Sequence, residues 1–138
     1  MGQATIRNFG QLQTDAFQYD YSVHGGAVGD ILTGLRIPKG AVIQNVFADV
    51  LTAATSANST ATIALKAETA NDLFTAAAVS GAPWSTTGRK QGIPDFATVS
   101  DYKKTTVERE VTLSIAVEAL SGGKIDFYIQ YVLGNAVG

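Results

Sequence analysis

The sequence predicts an all-β fold, a jelly-roll-like antiparallel β-sandwich with at most one short helix, and three observations carry that prediction. Large apolar residues recur with a period of two in several separate stretches, as in strands with one buried face. Gly, Pro, Asn and Ser cluster between those stretches, where tight connections belong. No helical pattern is long enough to supply the crossover helices that an open α/β sheet requires. At 138 residues the chain has the length of one domain with its own core, placed at 16–138 behind an N-terminal arm at 1–15.

From Ala16 to His24, Phe17, Tyr19, Tyr21 and Val23 alternate with polar residues, which predicts a half-buried strand. Gly25, Gly26 and Gly29 interrupt it. A second strand from Asp30 to Ile37 then turns Ile31, Thr33, Leu35 and Ile37 to one side and ends at Pro38-Lys39-Gly40. Ala41 to Ala53 is β-branched and too apolar for exposure on both faces, so it reads as a long central strand. After a small polar loop at 53–59, alternation resumes from Thr60 to Ala67, with Ala61, Ile63 and Leu65 on one face. Leu73, Phe74, Ala77 and Ala78 have helical spacing, and Asn71 is placed to cap a short helix over 70–79. Ser80 to Asp95, with three Gly, two Pro and Trp84, reads as a long ordered loop across one end of the domain. Thr106 to Val117 alternates most clearly, with Arg109 the one charged residue among Val107, Val111, Leu113, Ile115 and Val117, placed at the open end of the strand. Leu120-Ser121-Gly122-Gly123 then reads as a hairpin turn into a last strand, Lys124 to Leu133.

Composition removes several function classes. Ten Lys and Arg against twelve Asp and Glu leave a net charge of -2, so no chain-wide positive field holds nucleic acid or an anionic membrane. Zero Cys and one His leave no thiolate metal site, thiol nucleophile or His-rich zinc site, and no cofactor is expected. The first fifteen residues are polar, with one Arg and no apolar run, so they lack the plan of a secretory signal. Use without export is the expectation. No uninterrupted apolar stretch approaches a membrane-spanning length, and no membrane partner is expected.

The local motifs point to structure more than to chemistry. His24-Gly25-Gly26 has the look of a hydrolase oxyanion loop, but no Gly-x-Ser-x-Gly elbow accompanies it. The glycines around Val28 precede a strand and lack the Lys-Ser or Lys-Thr of a phosphate-binding loop. Asp20, Asp30, Asp49, Glu68, Asp72, Asp95 and Asp101 are scattered, with no calcium-loop run and no spaced acid pair. Trp84, followed by Arg89 and Lys90, admits two readings: a sugar- or protein-contacting surface, or a ring plugging one end of the sandwich. Lys103-Lys104, beside Tyr102, is balanced by Glu108 and Glu110 and reads as ordinary surface.

One long pattern is more specific. Lys39-Gly40-Ala41-Val42-Ile43 runs on through Asn45-Val46, Asp49-Val50 and Thr52-Ala53 to Ser59-Thr60-Ala61-Thr62-Ile63. Asn71-Asp72-Leu73, Ser80-Gly81-Ala82-Pro83-Trp84-Ser85-Thr86-Thr87-Gly88 and Ala119-Leu120-x-x-Gly123-Lys124-Ile125-Asp126-Phe127 before Tyr131 continue it. Across residues 39 to 133 this arrangement of turns and strands resembles small structural proteins encoded in the head gene clusters of tailed bacteriophages. The resemblance implies a β-sandwich that decorates or cements the capsid exterior, commonly as a homotrimer where major capsid proteins meet. It implies a virion location after assembly in the bacterial host cytoplasm, and no family-wide active site.

Residues 1–15 lie outside the resemblance. A short arm that orders on binding is a physically reasonable grip on a neighbour. The residues assigned to partner contact are Arg7 and Phe9 in the arm, with Trp84, Arg89 and Lys90 beyond the long loop's first turn. The competing function is a carbohydrate-binding module of a head fibre or tail, with Trp84, Tyr19, Tyr21 or Tyr128 stacked on a surface glycan. An enzyme ranks third, because no acid, base and nucleophile set can be assembled.

Overall fold

The computed structural model describes residues 11–95 and 102–133. Its strands are β1 (Leu12–Asp20), β2 (Gly29–Ile37), β3 (Ala41–Ser56), β4 (Thr62–Lys66), β5 (Phe74–Ala78), β6 (Gly88–Asp95), β7 (Lys103–Lys104), β8 (Arg109–Ala116) and β9 (Leu120–Leu133). A single helical turn, α1 (Tyr21–His24), is the only helix among the described residues. The first sheet has the order β1-β9-β3-β6, with β7 also on β3, and the second the order β2-β8-β4-β5. Every pairing is antiparallel. The two sheets pack as the predicted sandwich.

The alternating residues meet between the sheets. Val46, Ala48, Val50, Ile125, Phe127 and Ile129 of the first face Ile63, Leu65, Val111, Leu113 and Ile115 of the second, all essentially dry. The buried polar atoms are paired as burial demands: Tyr19 Oη donates to the Gly25 carbonyl at 2.6 Å, and Trp84 Nε1 to the Ile63 carbonyl at 3.3 Å. Among the described residues no buried side-chain nitrogen or oxygen lacks a partner.

Several boundaries differ from the expected ones, each for a local reason. Strand β1 begins at Leu12, so residues 12–15, expected in the arm, pair with β9 from Leu12↔Val132 to Asp15↔Ile129. It ends at Asp20, whose carboxylate accepts from Ser22 N at 2.9 Å and Ser22 Oγ at 2.7 Å and so caps α1. Tyr21 and Val23 therefore leave the strand and stand exposed. Strand β2 turns Ile31, Thr33, Leu35 and Ile37 inward as expected, but it lies in the opposite sheet from β1.

The expected helix over 70–79 is a turn followed by strand β5. The Asp72 carboxylate collects the backbone N–H groups of Ala67, Glu68 and Thr69 at 2.7–2.8 Å, which folds the chain back before β5. Asn71 sits there in the left-handed region, φ 62°, and not at a helix N-cap. The second half of the expected 80–95 loop is β6, which lies along β3 from Val50↔Gly88 to Asn45↔Asp95.

Leu120-Ser121-Gly122-Gly123 is likewise the start of β9 and no hairpin turn, since β8 and β9 belong to different sheets. Its glycines let β9 press against β3: a Cβ on Gly122 would sit 2.9 Å from Thr55 Oγ1, and one on Gly123 3.1 Å from Ala54 Cα. The reversal falls at Val117, φ 71°.

Candidate interaction surface

The outward face of the first sheet is built by the residues that alternate with its core set. Cross-strand register sets them in rows: Thr14, Gln130 and Asn45; then Ala16, Tyr128, Phe47 and Gln91; then Gln18, Asp126, Asp49 and Arg89. A bulge in β3 between Ile43 and Asn45 brings Asn45 opposite Gln130.

Side-chain amides join the first two rows across four strands. Gln91 Nε2 donates to Asn45 Oδ1 at 2.8 Å, Asn45 Nδ2 to Gln130 Oε1 at 3.0 Å, and Gln130 Nε2 to Thr14 Oγ1 at 3.3 Å. Gln91 Nε2 also reaches the Val46 carbonyl at 2.9 Å, which ties its end of the chain to β3. Beside this relay the rings of Phe47 and Tyr128 stack with centroids 4.8 Å apart and planes 16° from parallel. On the β6 side Phe47 lies opposite Gln91. A cavity of about 330 Å³ lies there, lined by Asn45, Phe47, Arg89, Lys90 and Gln91.

The outer face of the second sheet has another character. Arg36 lies 3.4 Å from Glu108 and 3.5 Å from Glu110, and Lys66 lies 3.7 Å from Asp30, whose carboxylate also accepts from Ser114 Oγ at 2.8 Å. Small residues, Thr62, Ala64, Thr112 and Ala116, fill the ground between these charges. Glu108 and Glu110 are thus engaged by Arg36 and not by Lys103-Lys104.

The sequence-predicted contact residues separate. Arg7 and Phe9 lie outside the described residues. Trp84 is fully buried, its ring 5.1 Å from that of Phe74 and 5.9 Å from that of Phe127, so it is the plug of its two readings. Tyr19 is also core, and burial, helped by Tyr21 and Asp20 nearby, pushes its phenol up to about 12. Arg89 and Lys90 do line a cavity, and Lys90 Nζ donates to Thr86 Oγ1 at 2.7 Å. Tyr128 is the one nominated tyrosine on the aromatic platform. Its neighbours Phe47, Asn45, Gln91 and Gln130 were not nominated, although Phe47 and Asp49 already alternate with Val46, Ala48 and Val50 in the sequence of β3.

The glycines after His24 serve packing. Leu120 N donates to the Gly26 carbonyl at 2.7 Å, and a Cβ on Gly26 would collide with the Leu120 carbonyl. No group of three or more His, Cys, Asp or Glu could hold a metal among the described residues, and no helix there is long and apolar enough to cross a membrane.

No protein-family model matches the chain, and no curated protein matches it. Its fold does match chains in solved phage structures. A chain in the capsid of Ralstonia phage GP4 aligns over 92% of this chain and 87% of its own, at 20% identity and TM-score 0.66. A chain in the acidic stable capsid structure of Helicobacter pylori bacteriophage KHP30 aligns over 90% and 89%, at 13% identity and TM-score 0.64. A chain in the capsid asymmetric unit of cyanophage Pam1 aligns over 89% and 85%, at 18% identity and TM-score 0.60. The chain is therefore similar, in the path of its backbone along nearly its full length, to chains found in three phage capsid structures.

Proposed function

We propose that this protein is a virion structural protein of a tailed phage, binding the outside of the capsid and cementing adjacent major capsid proteins as a homotrimer. The observation that supports this reading is the fold likeness to chains in three capsid structures, which spans 85–89% of those chains as well as nearly all of this one. A cement protein needs a stable, compact body and no catalysis. It stabilises the shell by linkage, because copies that bind only the closed shell oppose its dissociation. Three shell contacts made by one trimer would add avidity.

In this reading residues 1–10, with Arg7 and Phe9, form the arm that grips the shell. The arm leads into β1 where Leu12 pairs with Val132, beside the Ala41↔Leu133 pair, so it starts from one end of the first sheet. Assembly takes place in the host cytoplasm and the mature location is the capsid exterior.

Co-sedimentation of the purified protein with capsids that lack it, combined with light scattering, tests the proposal. The expected result is saturable binding by a species about three times the 14.4 kDa chain mass. A monomer that stays in the supernatant overturns it. A truncation starting at Gln11 leaves β1 whole and tests the arm: unchanged affinity would remove the arm from the proposal.

A further inference from the structure

We propose that the outer face of the first sheet binds a neutral glycan, with the ring of Phe47 as its stacking surface and the Asn45, Gln91 and Gln130 amides reading hydroxyl groups. This inference stands apart from the capsid reading and does not need it.

A pyranose ring presents an apolar C–H face and a belt of hydroxyls that donate and accept at once. Its complement is a flat aromatic face next to groups that also donate and accept, which among uncharged side chains means amides and hydroxyls. Phe47 supplies the aromatic ring: it stacks on Tyr128 at 4.8 Å and lines the cavity of about 330 Å³. That volume is at the small end of ligand sites, which run to roughly 300–1,000 Å³, so it suits one or two sugar rings.

The amides are set before any ligand arrives. The relay Gln91 to Asn45 to Gln130 to Thr14 fixes all three side chains along the rim: Gln91 spends both amide hydrogens, on Asn45 Oδ1 and the Val46 carbonyl, while Asn45 and Gln130 spend one each. The second amide hydrogen of Asn45 and of Gln130, and the Oε1 lone pairs of Gln91, are then available at low entropic cost. Tyr128 Oη has no hydrogen-bond partner among the described residues, and its neighbour on β1 is the small Ala16.

Charge selects the neutral class. Arg89 is exposed at the cavity and makes no ion pair among the described residues, which would favour an acidic sugar if it stood alone. Asp49 lies directly opposite Arg89 in the register, and Asp126 directly opposite Asp49. Asp49 and Asp126 therefore bring two carboxylates into the row that holds Arg89, so a uronate or sulfate set against that guanidinium would also meet negative charge and gain little.

The full chain, screened on an array of neutral oligosaccharides of glucose, galactose, mannose and N-acetylhexosamines together with sialylated and sulfated glycans, tests the proposal. The expected result is binding to neutral members, verified by saturation-transfer NMR. Phe47→Leu, which keeps apolar bulk but no ring, should reduce that binding at least tenfold with the thermal midpoint unchanged, and Tyr128→Ala should weaken it less. Binding to none of the neutral glycans, to acidic glycans alone, or equally by Phe47→Leu would overturn the proposal.

Discussion

Arg109 grips Glu68 at two points, Nε to Oε1 at 2.9 Å and Nη2 to Oε2 at 3.1 Å, and this pair joins the start of β8 to the turn that follows β4. Thr106 completes the cage by donating its hydroxyl to Oε2 at 2.7 Å. Arg109 is the one charged residue on the inward face of β8, and the pair lets that face end without an unmatched charge.

The Arg109 guanidinium holds the Glu68 carboxyl down at about 2, against an ordinary 4.5, with the Thr106 hydrogen bonds adding to the effect. The folded value is depressed, so the stabilisation is present above pH 4.5 and lost as pH falls towards 2. Glu68→Gln should lower stability at pH 7 by about 1 kcal/mol, the pair being partly solvated, and flatten the pH dependence across that window. Urea unfolding at a series of pH values measures both effects.

Glu118 ties the turn after β3 to the chain between β8 and β9. Its carboxylate accepts from Asn58 N and Nδ2 at 2.9 Å and from Thr60 Oγ1 at 3.0 Å. Hydrogen bonds from Ser56, Thr60 and Asn58 hold it at about 2. An NMR titration of its side-chain carboxyl carbon should show a midpoint near that value, and a midpoint near 4.5 would refute the clasp. Glu118→Gln should speed amide exchange at Asn58 and Thr60.

Trp84 fills the space between Phe74 and Phe127 beneath β4. Trp84→Ala should destabilise by about 3–5 kcal/mol, the range for large-to-small aromatic changes in a core. Trp84→Phe should cost less and leave the Ile63 carbonyl without its indole donor. Trp84 is the only tryptophan, so blue-shifted emission resistant to acrylamide is the direct spectroscopic check on its burial.

Burial lifts the phenols of Tyr19 and Tyr131 to about 12, with Asp15 adding to the effect at Tyr131. A raised folded value means stability that is complete below pH 10 and lost as pH rises through 12. Absorbance titration should resolve these two from the other tyrosines, and alkaline unfolding should follow their ionisation. Tyr131→Phe should narrow the alkaline transition.

Period-two alternation revealed which residues face the core, because it depends on one strand at a time. Val111, Leu113 and Ile115 follow it, and so does Arg109 at the strand end. It does not name a partner strand, so β8 and β9 looked like a hairpin although they sit in opposite sheets. Leu73, Phe74, Ala77 and Ala78 fit a helix as well as a strand, and only Asp72 pulling the 67–69 backbone together settles the matter. The platform was hidden for a related reason: Phe47 and Tyr128 are eighty-one positions apart and become neighbours only through the β3 and β9 register.

The pairing of Leu12 with Val132 and of Ala41 with Leu133 has a kinetic consequence. During synthesis β1 and β3 leave the ribosome long before β9, the strand that both of them need. Until then the first sheet cannot close, and two long strands present unpaired backbone to whatever is nearby. Folding is then a late event limited by closure of a very long loop. In a cell making many copies at once, the competing neighbour is another nascent chain of the same sequence, so yield should fall as expression rate and temperature rise.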